Sequence, residues 1–306
     1  MKVVLAGGAG FIGSHLTDLL LLHGHEVVVI DNLSTGRKEN VHEDAELIVA
    51  DISGPGRDLP FIPDVIVHLA SPASPVDYWA KPLATMAANS VGTLNLLEQA
   101  SVDDARFIFA STSEVYGDPL VHPQPESYFG NVDPIGPRSC YDESKRFGEA
   151  LVTNYRQVFG VRAAIVRIFN TYGPRMRKED GRVVPELMGQ AIAGGPLTIH
   201  GTGQQTRSFC YVSDLVEGLR LVIEDEELDG QVLNLGSEEE YTIALLARHI
   251  AAATGSRASL QNVVGRDGDP QQRRPDISRI KQRYGWSPTV PLAEGLLQTL
   301  NWWRRS

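Results

Sequence analysis

The chain has 306 residues, 42% of them hydrophobic and 22% charged, which is enough for one large or two ordinary globular domains. Its formal net charge of −10 disfavours nucleic acid as a partner, because proteins that bind nucleic acid are usually basic. No apolar run approaches the roughly 20 residues that cross a membrane, and no signal-peptide pattern is visible. We therefore expect a cytoplasmic protein with no membrane or nucleic-acid partner. Cys140 and Cys210 lack metal-ligand spacing, so we expect free thiols and no metal site.

The first half of the chain alternates short apolar runs with helical patterns. Runs rich in β-branched residues predict buried strands, and the segments between them have the spacing of helices. The alternation predicts an α/β fold, a doubly wound parallel sheet of the Rossmann type. The predicted strands are Val3–Ala6, Val27–Asp31, Glu46–Asp51, Val65–Ala70, Arg106–Ser111 and Ala163–Phe169, and the predicted helices are Ile12–Leu22, Pro82–Gln99 and Tyr141–Phe159.

The rhythm changes after about residue 170, where Gly and Pro punctuate the chain more often. Helices are predicted at Asp214–Ile223, Ile243–Ala253 and Leu292–Trp303, and a strand at Gln231–Leu235. We expect residues 1–169 to form the Rossmann domain, with 207–235 returning to it. Residues 170–206 and 236–306 would then form a smaller domain that is interleaved with the first.

A glycine-rich turn, Gly7-Gly8-Ala9-Gly10-Phe11-Ile12-Gly13, follows the first strand and opens the first helix. It satisfies G-x-G-x-x-G, in which glycines let the backbone approach a pyrophosphate at a helix N-terminus. Asp31 ends the second strand 18 residues beyond Gly13, where a carboxylate binds ribose hydroxyls and repels a 2′-phosphate. The sequence therefore predicts NAD, although Arg37 leaves NADP open, and a purely structural turn is the alternative. Asp51, after the third strand, either contacts the adenine or caps a turn.

Two hydroxyls and a carboxylate follow the fifth predicted strand, in the stretch STSEVYG from Ser111. Polar groups are costly to bury there unless they have a function, and ligands of doubly wound sheets bind at this edge. Tyr141 and Lys145 lie one helical turn apart on one helix face. A lysine ammonium and a positive nicotinamide ring both favour the phenolate. We therefore expect a lowered Tyr141 pKa and a base assisted by Thr112, although Y-x-x-x-K is common by chance and a tyrosine beside a solvated lysine is the alternative.

These motifs resemble those of the extended short-chain dehydrogenases/reductases that act on nucleotide sugars, and the chain is most similar to the UDP-glucuronate decarboxylase (UDP-xylose synthase) family. The resemblance implies NAD-dependent decarboxylation of UDP-glucuronate to UDP-xylose through a 4-keto intermediate, redox-neutral overall, in a homodimer with a UDP-sugar-binding smaller domain. It spans the chain from GGAGFIGSHL to RRPDISRIKQRYGWSP, and its most specific segments are HLASPASP, STSEVYGDP, NVDPIGPRSCYDESKR, RIFNTYGPRM, DGRVV and TRSFCYVSDLV.

The resemblance also implies roles for individual residues. Related 4,6-dehydratases carry an aspartate at the position of Ser113, where it is the acid that expels the 6-hydroxyl. A serine cannot do this, which favours loss of C-6 as carbon dioxide. The implied catalytic residues are Thr112, Ser113, Glu114, Tyr141, Lys145 and Arg273; the implied cofactor-binding residues are Gly7, Gly10, Phe11, Ile12, Asp31, Asn32, Asp51, Ile52, Leu69, Ser71, Tyr141 and Lys145; the implied substrate-binding residues are Asn170, Arg182, Arg207 and Arg273.

Several alternatives stay open at this point. Arg273 and Arg274 can be read as a solvated charge pair rather than as a substrate contact. A lysine that family members often carry near Ala87 is absent, which puts one substrate contact in doubt. The nearest enzymatic alternative is a 4-epimerase or a 4,6-dehydratase on the same fold. An alternative of another class is a non-catalytic regulator that binds NAD.

Overall fold

The computed structural model describes residues 1–56, 58–265 and 268–305, and residues 57, 266, 267 and 306 of the predicted domain ranges lie outside the described residues. No helix in the described ranges has the length and apolar character that a membrane span requires. The strands are β1 (Lys2–Ala6), β2 (Glu26–Asp31), β3 (Glu46–Val49), β4 (Val65–His68), β5 (Arg106–Thr112), β6 (Ala163–Ile168), β7 (Thr171–Tyr172), β8 (Leu197–His200), β9 (Thr206–Ser208), β10 (Cys210–Tyr211), β11 (Val232–Leu235), β12 (Glu240–Thr242), β13 (Leu260–Val263) and β14 (Gln272–Arg273). The helices are α1 (Phe11–Leu22), α2 (Pro75–Ala80), α3 (Pro82–Asn89), α4 (Val91–Val102), α5 (Ser139–Phe159), α6 (Val183–Ala193), α7 (Val212–Glu224), α8 (Ile243–Thr254), α9 (Ser278–Tyr284) and α10 (Leu292–Trp303).

Seven parallel strands form the central sheet in the order β11-β6-β5-β4-β1-β2-β3. Strand β1 pairs with both β2 and β4, so the strand order reverses at β1. In such sheets the reversal leaves a crevice at the carboxyl ends of the strands, and ligands bind there. The predicted doubly wound α/β fold is confirmed. Strand β11 reaches the sheet from a distant part of the chain and pairs with β6 at its edge.

Helices cover both faces of the sheet and create two separate apolar cores. Val3 and Leu5 of β1 belong to one core together with residues of α1 and α7. Val4 and Ala6 belong to the other core together with residues of α4 and α5. Successive side chains of a strand point to opposite faces, so a strand between two apolar layers must be apolar at every position. This two-sided packing explains the continuous apolar run and holds the ends of β1, β4 and β5 in place.

The predicted helix Pro82–Gln99 is wrong as one continuous element. It is divided into α3 and α4 at Ser90, where φ is −113° and ψ is −76°. The Ser90 hydroxyl donates a hydrogen bond of 2.6 Å to the carbonyl of Met86, and such a bond to the preceding turn competes with regular helix geometry. The predicted strand Glu46–Asp51 ends two residues early, at Val49.

Among the described residues beyond β6, three small sheets form in addition to β11. They are a β10-β7 pair, a β13-β8 pair and a three-stranded sheet in the order β12-β9-β14. In the last of these, Arg273 of β14 lies opposite Arg207 of β9 in a parallel register. The fold therefore brings two of the predicted substrate-binding arginines to neighbouring positions, although 66 residues separate them in the sequence.

Candidate active site

The glycine-rich turn between β1 and α1 is closely packed. Gly7 has a φ of +87°, in the region that glycine adopts without strain. A Cβ added at Gly13 would lie 2.2 Å from the carbonyl oxygen of Gly7, so no side chain fits there. At Gly10, the residue before α1, the nearest such atom is 3.3 Å away. The turn thus brings the amide end of α1 close to the cleft, and it fits the pyrophosphate of a dinucleotide.

Asp31 is fixed at the end of β2 by two backbone amides. Its carboxylate accepts hydrogen bonds from the amides of Ala9 (3.0 Å) and Leu33 (2.8 Å). Burial raises the pKa of this carboxyl, and the two amide hydrogen bonds act in the opposite direction. Asp51 accepts a hydrogen bond of 2.9 Å from Asn32 and one of 2.8 Å from the amide of Ser53. Asp51 therefore caps a turn and also borders the cleft at the carboxyl ends of the central strands.

One cleft, which we call the cofactor cleft, runs along the carboxyl ends of the central strands. All of the predicted cofactor-binding residues border it, and so does Arg37, which left NADP open. Because these residues border the same cleft, they can contact a single dinucleotide together. The contact of each residue with the cofactor stays a prediction. The bordering residues that were predicted are Gly7, Gly10, Phe11, Ile12, Asp31, Asn32, Asp51, Ile52, Leu69, Ser71, Tyr141 and Lys145.

The hydroxyls of Thr112 and Tyr141 meet at the end of β5. Thr112 ends the strand, and its hydroxyl accepts a hydrogen bond of 3.2 Å from the amide of Glu114, the second residue of the 3₁₀ turn Ser113–Tyr116. Burial raises the pKa of Tyr141 to about 12, while the hydrogen bond with Thr112 acts to lower it. The expected lowering is therefore not produced by the protein groups, because burial outweighs them. A positive nicotinamide ring beside the phenol would act in the lowering direction.

Lys145 lies one turn beyond Tyr141 on α5 and is buried. Its Nζ donates a hydrogen bond of 2.7 Å to the carbonyl of Ala110 and lies 4.8 Å from the ring centroid of Phe109. Burial lowers the pKa of Lys145 to about 7, with Glu149 acting in the opposite direction. The alternative of a solvated lysine does not hold for this side chain, since it is only 2% exposed.

Glu114 is held between two arginines. It forms ion pairs with Arg138 and with Arg273, whose Nη2 lies 3.1 Å from Oε2 of Glu114. Burial alone would raise the pKa of Glu114, but the positive charges of Arg138 and Arg273 outweigh it and lower the pKa to about 2. Glu114 is therefore ionised at neutral pH. Arg273 is 3% exposed, so the interpretation as a solvated charge does not hold for it.

A second cavity, which we call the arginine cavity, adjoins the cofactor cleft. Glu114, Asn170 and Arg182 border both cavities. Arg207 and Arg273 border only the second of them. Asp180 pairs with Arg182, and Asp269 accepts a hydrogen bond of 2.8 Å from Arg207. Several guanidinium groups at one cavity fit a ligand with phosphate or carboxylate groups.

The sequence reasoning missed three residues of this site. Arg138 forms an ion pair with Glu114 and borders the arginine cavity. Tyr78 stacks on Tyr141, with ring centroids 5.4 Å apart and an angle of 9° between the planes. Asp142 is buried beside them, at 6% exposure. Tyr78 lies on α2, whose start was signalled by Ser74-Pro75 followed by an acidic residue, a pattern typical of a helix N-terminus.

The sheet, the glycine-rich turn and the Tyr141–Lys145 pair together define a nucleotide-binding oxidoreductase-type fold of the extended short-chain dehydrogenase/reductase class. The family comparison agrees with this class. The chain belongs to the NAD dependent epimerase/dehydratase family, whose model matches residues 3–236. Among the residues that the structure describes, no group of three or more His, Cys, Asp or Glu side chains is arranged to hold a metal ion.

The chain is similar in sequence to known proteins and similar in structure to solved proteins that act on nucleotide sugars. The chain is 49% identical over 309 residues to UDP-glucuronic acid decarboxylase 1 of Xenopus tropicalis, covering 99% of this chain and 72% of the relative. It is 49% identical over 302 residues to UDP-glucuronic acid decarboxylase 3 of Arabidopsis thaliana, covering 97% and 87% respectively. The structure of UDP-glucose 4-epimerase from Thermotoga maritima has a TM-score of 0.90 at 30% identity and covers 100% of this chain and 99% of that chain. UDP-glucuronic acid 4-epimerase from Bacillus cereus, solved with UDP-glucuronic acid and NAD, has a TM-score of 0.88 at 30% identity, with coverage of 100% and 99%. The resemblance to UDP-glucuronate decarboxylases is thereby confirmed.

Proposed function

We propose that the protein converts UDP-glucuronate to UDP-xylose and carbon dioxide with the help of NAD. One observation carries the proposal beyond the fold. The Thr112–Tyr141 pair suited to oxidation is followed by Glu114, which pairs with the buried Arg273, while the position between Thr112 and Glu114 holds Ser113 instead of an acid. Near full-length identity of 49% to UDP-glucuronic acid decarboxylases supports the same reaction.

When bound, NAD would supply the acceptor for the hydride of C-4 and the source of the hydride that restores the 4-alcohol. Tyr141 accepts the proton of the 4-hydroxyl, and Thr112, which hydrogen-bonds to Tyr141, shares that proton. The resulting ketone lies β to the C-6 carboxylate, so the C-5–C-6 bond can break with its electron pair delocalised onto the C-4 oxygen. After C-5 has taken up a proton, Tyr141 returns its own proton to the 4-oxygen. The chemistry needs no metal ion, because the substrate ketone itself is the electron sink.

Individual contacts form part of the proposal. NAD is held by the glycine-rich turn and by Asp31, whose charge disfavours the 2′-phosphate of NADP. Lys145 reaches the nicotinamide ribose. Arg273 binds the substrate carboxylate, Ser113 hydrogen-bonds to it, and Glu114 lies near C-5. Asn170, Arg182 and Arg207 bind the UDP portion, because arginine donates two hydrogen bonds at once to phosphate oxygens.

The decisive experiment is incubation of the purified protein and NAD with UDP-glucuronate, with carbon dioxide, sugar nucleotide and NADH measured together. We expect equal amounts of carbon dioxide and UDP-xylose with no net NADH. UDP-galacturonate without carbon dioxide would identify a 4-epimerase, and NADH equal to carbon dioxide would identify an oxidative decarboxylase that stops at the ketone. No turnover despite NAD binding would favour the non-catalytic regulator. Tyr141→Phe is the control for contaminating activity.

We also propose a homodimer formed through α3, α4 and α5. These helices carry exposed apolar side chains, among them Leu83 (79% exposed), Met86 (43%), Phe147 (51%) and Phe159 (62%), and exposed apolar patches often mark protein interfaces. Light scattering at micromolar concentration tests this, and a monomer mass would contradict it. Leu83→Glu should shift a dimer toward monomer without changing the NAD affinity of the monomer.

We further propose that the protein works in the cytoplasm. Cys140 and Cys210 are free thiols, which is typical of a reducing compartment. Cell fractionation with detection of the native protein tests this location.

A further inference from the structure

Four buried polar atoms close to Glu114 lack a hydrogen-bond partner among the residues that the structure describes. They are Oη of Tyr78, Nε of Arg138, Oδ1 of Asp142 and Nε of Arg273. Tyr78 and Asp142 are 1% and 6% exposed. Buried polar groups are normally hydrogen-bonded, and such groups commonly share an ordered water when the site is polar. The cluster is therefore suited to hold water beside Glu114.

The reaction consumes a proton that the residues assigned so far do not supply. When the C-5–C-6 bond breaks, carbon dioxide leaves with C-6, and the electron pair of that bond forms the enolate. C-5 must then take up a proton to give the 4-ketone of the pentose. Tyr141 only returns the proton that it accepted from the 4-hydroxyl, so it supplies no net proton to the reaction. One further proton per turnover must reach C-5 from the protein and finally from solvent.

Glu114 is poorly suited to supply this proton, although it was placed near C-5. The charges of Arg138 and Arg273 keep it ionised at neutral pH. Asp142 differs from Glu114 in this respect. Burial, reinforced by the negative charge of Glu114, raises the pKa of Asp142 to about 8, while Arg138 and Arg273 act to lower it. Asp142 therefore holds a proton at neutral pH.

We propose that Asp142 stores the proton taken up in the reaction and passes it toward C-5 through the hydroxyl of Tyr78 and water held in the cluster. The proposal rests on the decarboxylase function proposed above. Tyr78 is the connecting group because it borders the arginine cavity, stacks on Tyr141 and interacts electrostatically with Asp142. Asp142 borders neither cavity, so it acts through Tyr78 as a positioning and proton-storing residue. Solvent restores its proton after each turnover.

The charges around Asp142 set the pH dependence. Arg138 faces it from the residue before α5, Glu114 from the turn after β5, Arg273 from β14 and Tyr78 from α2. On α5 itself the neighbouring titratable groups are Cys140, Tyr141 and Glu143. With Asp142 neutral, the two arginines and Glu114 leave one net positive charge for the substrate carboxylate. Ionised Asp142 would cancel that charge and would have no proton to give. Both effects predict that turnover falls as the pH rises through about 8.

Rapid mixing of the NAD-loaded enzyme with UDP-glucuronate separates the two halves of the reaction. Absorbance of NADH rises as C-4 is oxidised and decays after C-5 has been protonated. For Asp142→Asn we expect a rise at the wild-type rate and a decay slowed about 100-fold, the lower range for loss of proton transfer by a positioned group. The decay should no longer depend on pH near pH 8. Tyr78→Phe, which removes only the hydroxyl, should slow the decay in the same way.

Glu143→Gln is the matched control, because it removes the adjacent carboxylate, whose side chain is 38% exposed and pairs with Arg146. At pH 7 it should leave both phases unchanged, because among the groups that act on the pKa of Asp142 the charge of Glu143 has the smallest effect. A wild-type decay in Asp142→Asn, or equal slowing of rise and decay, would overturn the proposal. If Asp142→Asn does not fold, a normal decay in Tyr78→Phe overturns it instead. Carbon dioxide release by the wild-type protein is measured first. If none is released, the proposed function itself is rejected.

Discussion

Replacing Arg273 by alanine should separate substrate turnover from cofactor binding. Arg273 borders the arginine cavity and not the cofactor cleft. Its partner Glu114 keeps the second ion pair, with Arg138, so the substitution does not leave a buried carboxylate without a counter-charge. The fold should therefore tolerate Arg273→Ala, and NAD affinity should stay within about twofold because Arg273 does not border the cofactor cleft.

The loss should fall on the step that requires the substrate carboxylate. Removing one partner of a buried charge pair typically costs about 2 to 5 kcal/mol, and Arg273 is too buried, at 3% exposure, for solvent to replace it. At 1.36 kcal/mol for each factor of ten, this is a reduction in kcat/KM of about 30- to 5,000-fold. UDP-glucose, which lacks the carboxylate, should bind to the variant about as well as to the wild type.

The assay is steady-state turnover of UDP-glucuronate together with NAD affinity by fluorescence titration. Arg274→Ala is the matched control, since Arg274 is the adjacent residue and borders neither cavity. Near-normal turnover of Arg273→Ala would refute the reasoning and leave Arg273 with the single role of pairing with Glu114. Parallel loss of turnover and NAD binding would also refute it, because the separation of the two cavities would then have no functional meaning.

Three further predictions concern the turn, the base and a buried histidine. Gly10→Ala should fold but bind NAD weakly, as measured by NAD titration. Gly13→Ala, whose Cβ would lie 2.2 Å from the Gly7 oxygen, should lose about 1–3 kcal/mol of stability, and thermal melting should show it to be the less stable of the two variants. Tyr141→Phe should bind NAD normally yet form NADH from UDP-glucuronate at least about 100-fold more slowly, and an unchanged rate would contradict its role as base. Burial lowers the pKa of His68 to about 3, so below pH 6.5 the unfolded chain takes up a proton that the folded chain does not. Stability should therefore fall by about 2 kcal/mol between pH 7 and pH 5 in denaturant titrations, and His68→Gln should lack this component.

The central sheet could be predicted from the sequence because its strands are buried on both faces, so each appears in the sequence as a continuous apolar run. Helices were harder to predict where local sequence signals conflict. Helix α6 contains Pro185 and Gly189, which look like helix breakers, yet Pro185 lies in the first turn, where its missing amide costs little. Helix α2 has six residues, too few to display a helical period. The division at Ser90 coincides with a side-chain hydrogen bond to the carbonyl of Met86, which composition does not reveal.

Some parts of the candidate site could likewise be predicted from the sequence, and others could not. The glycine-rich turn and the Tyr141–Lys145 pair are local patterns, and each is readable from its own stretch of sequence. The contacts of Glu114 are not, because Arg138 and Arg273 are 24 and 159 residues away from it. The raising effect of burial on the pKa of Tyr141 could not be predicted from the sequence, because burial depends on how the whole chain packs.

Strand β11 has a consequence for the order of events during synthesis. It completes the central sheet beside β6, but it ends at Leu235 of a chain of 306 residues. While the ribosome makes the segment after β6, that strand has a free edge with unpaired amides and carbonyls, which invites pairing with other chains. The sheet can close only after most of the chain has emerged. Shortened proteins that end soon after residue 169 should therefore be more prone to aggregate than those that extend past Leu235.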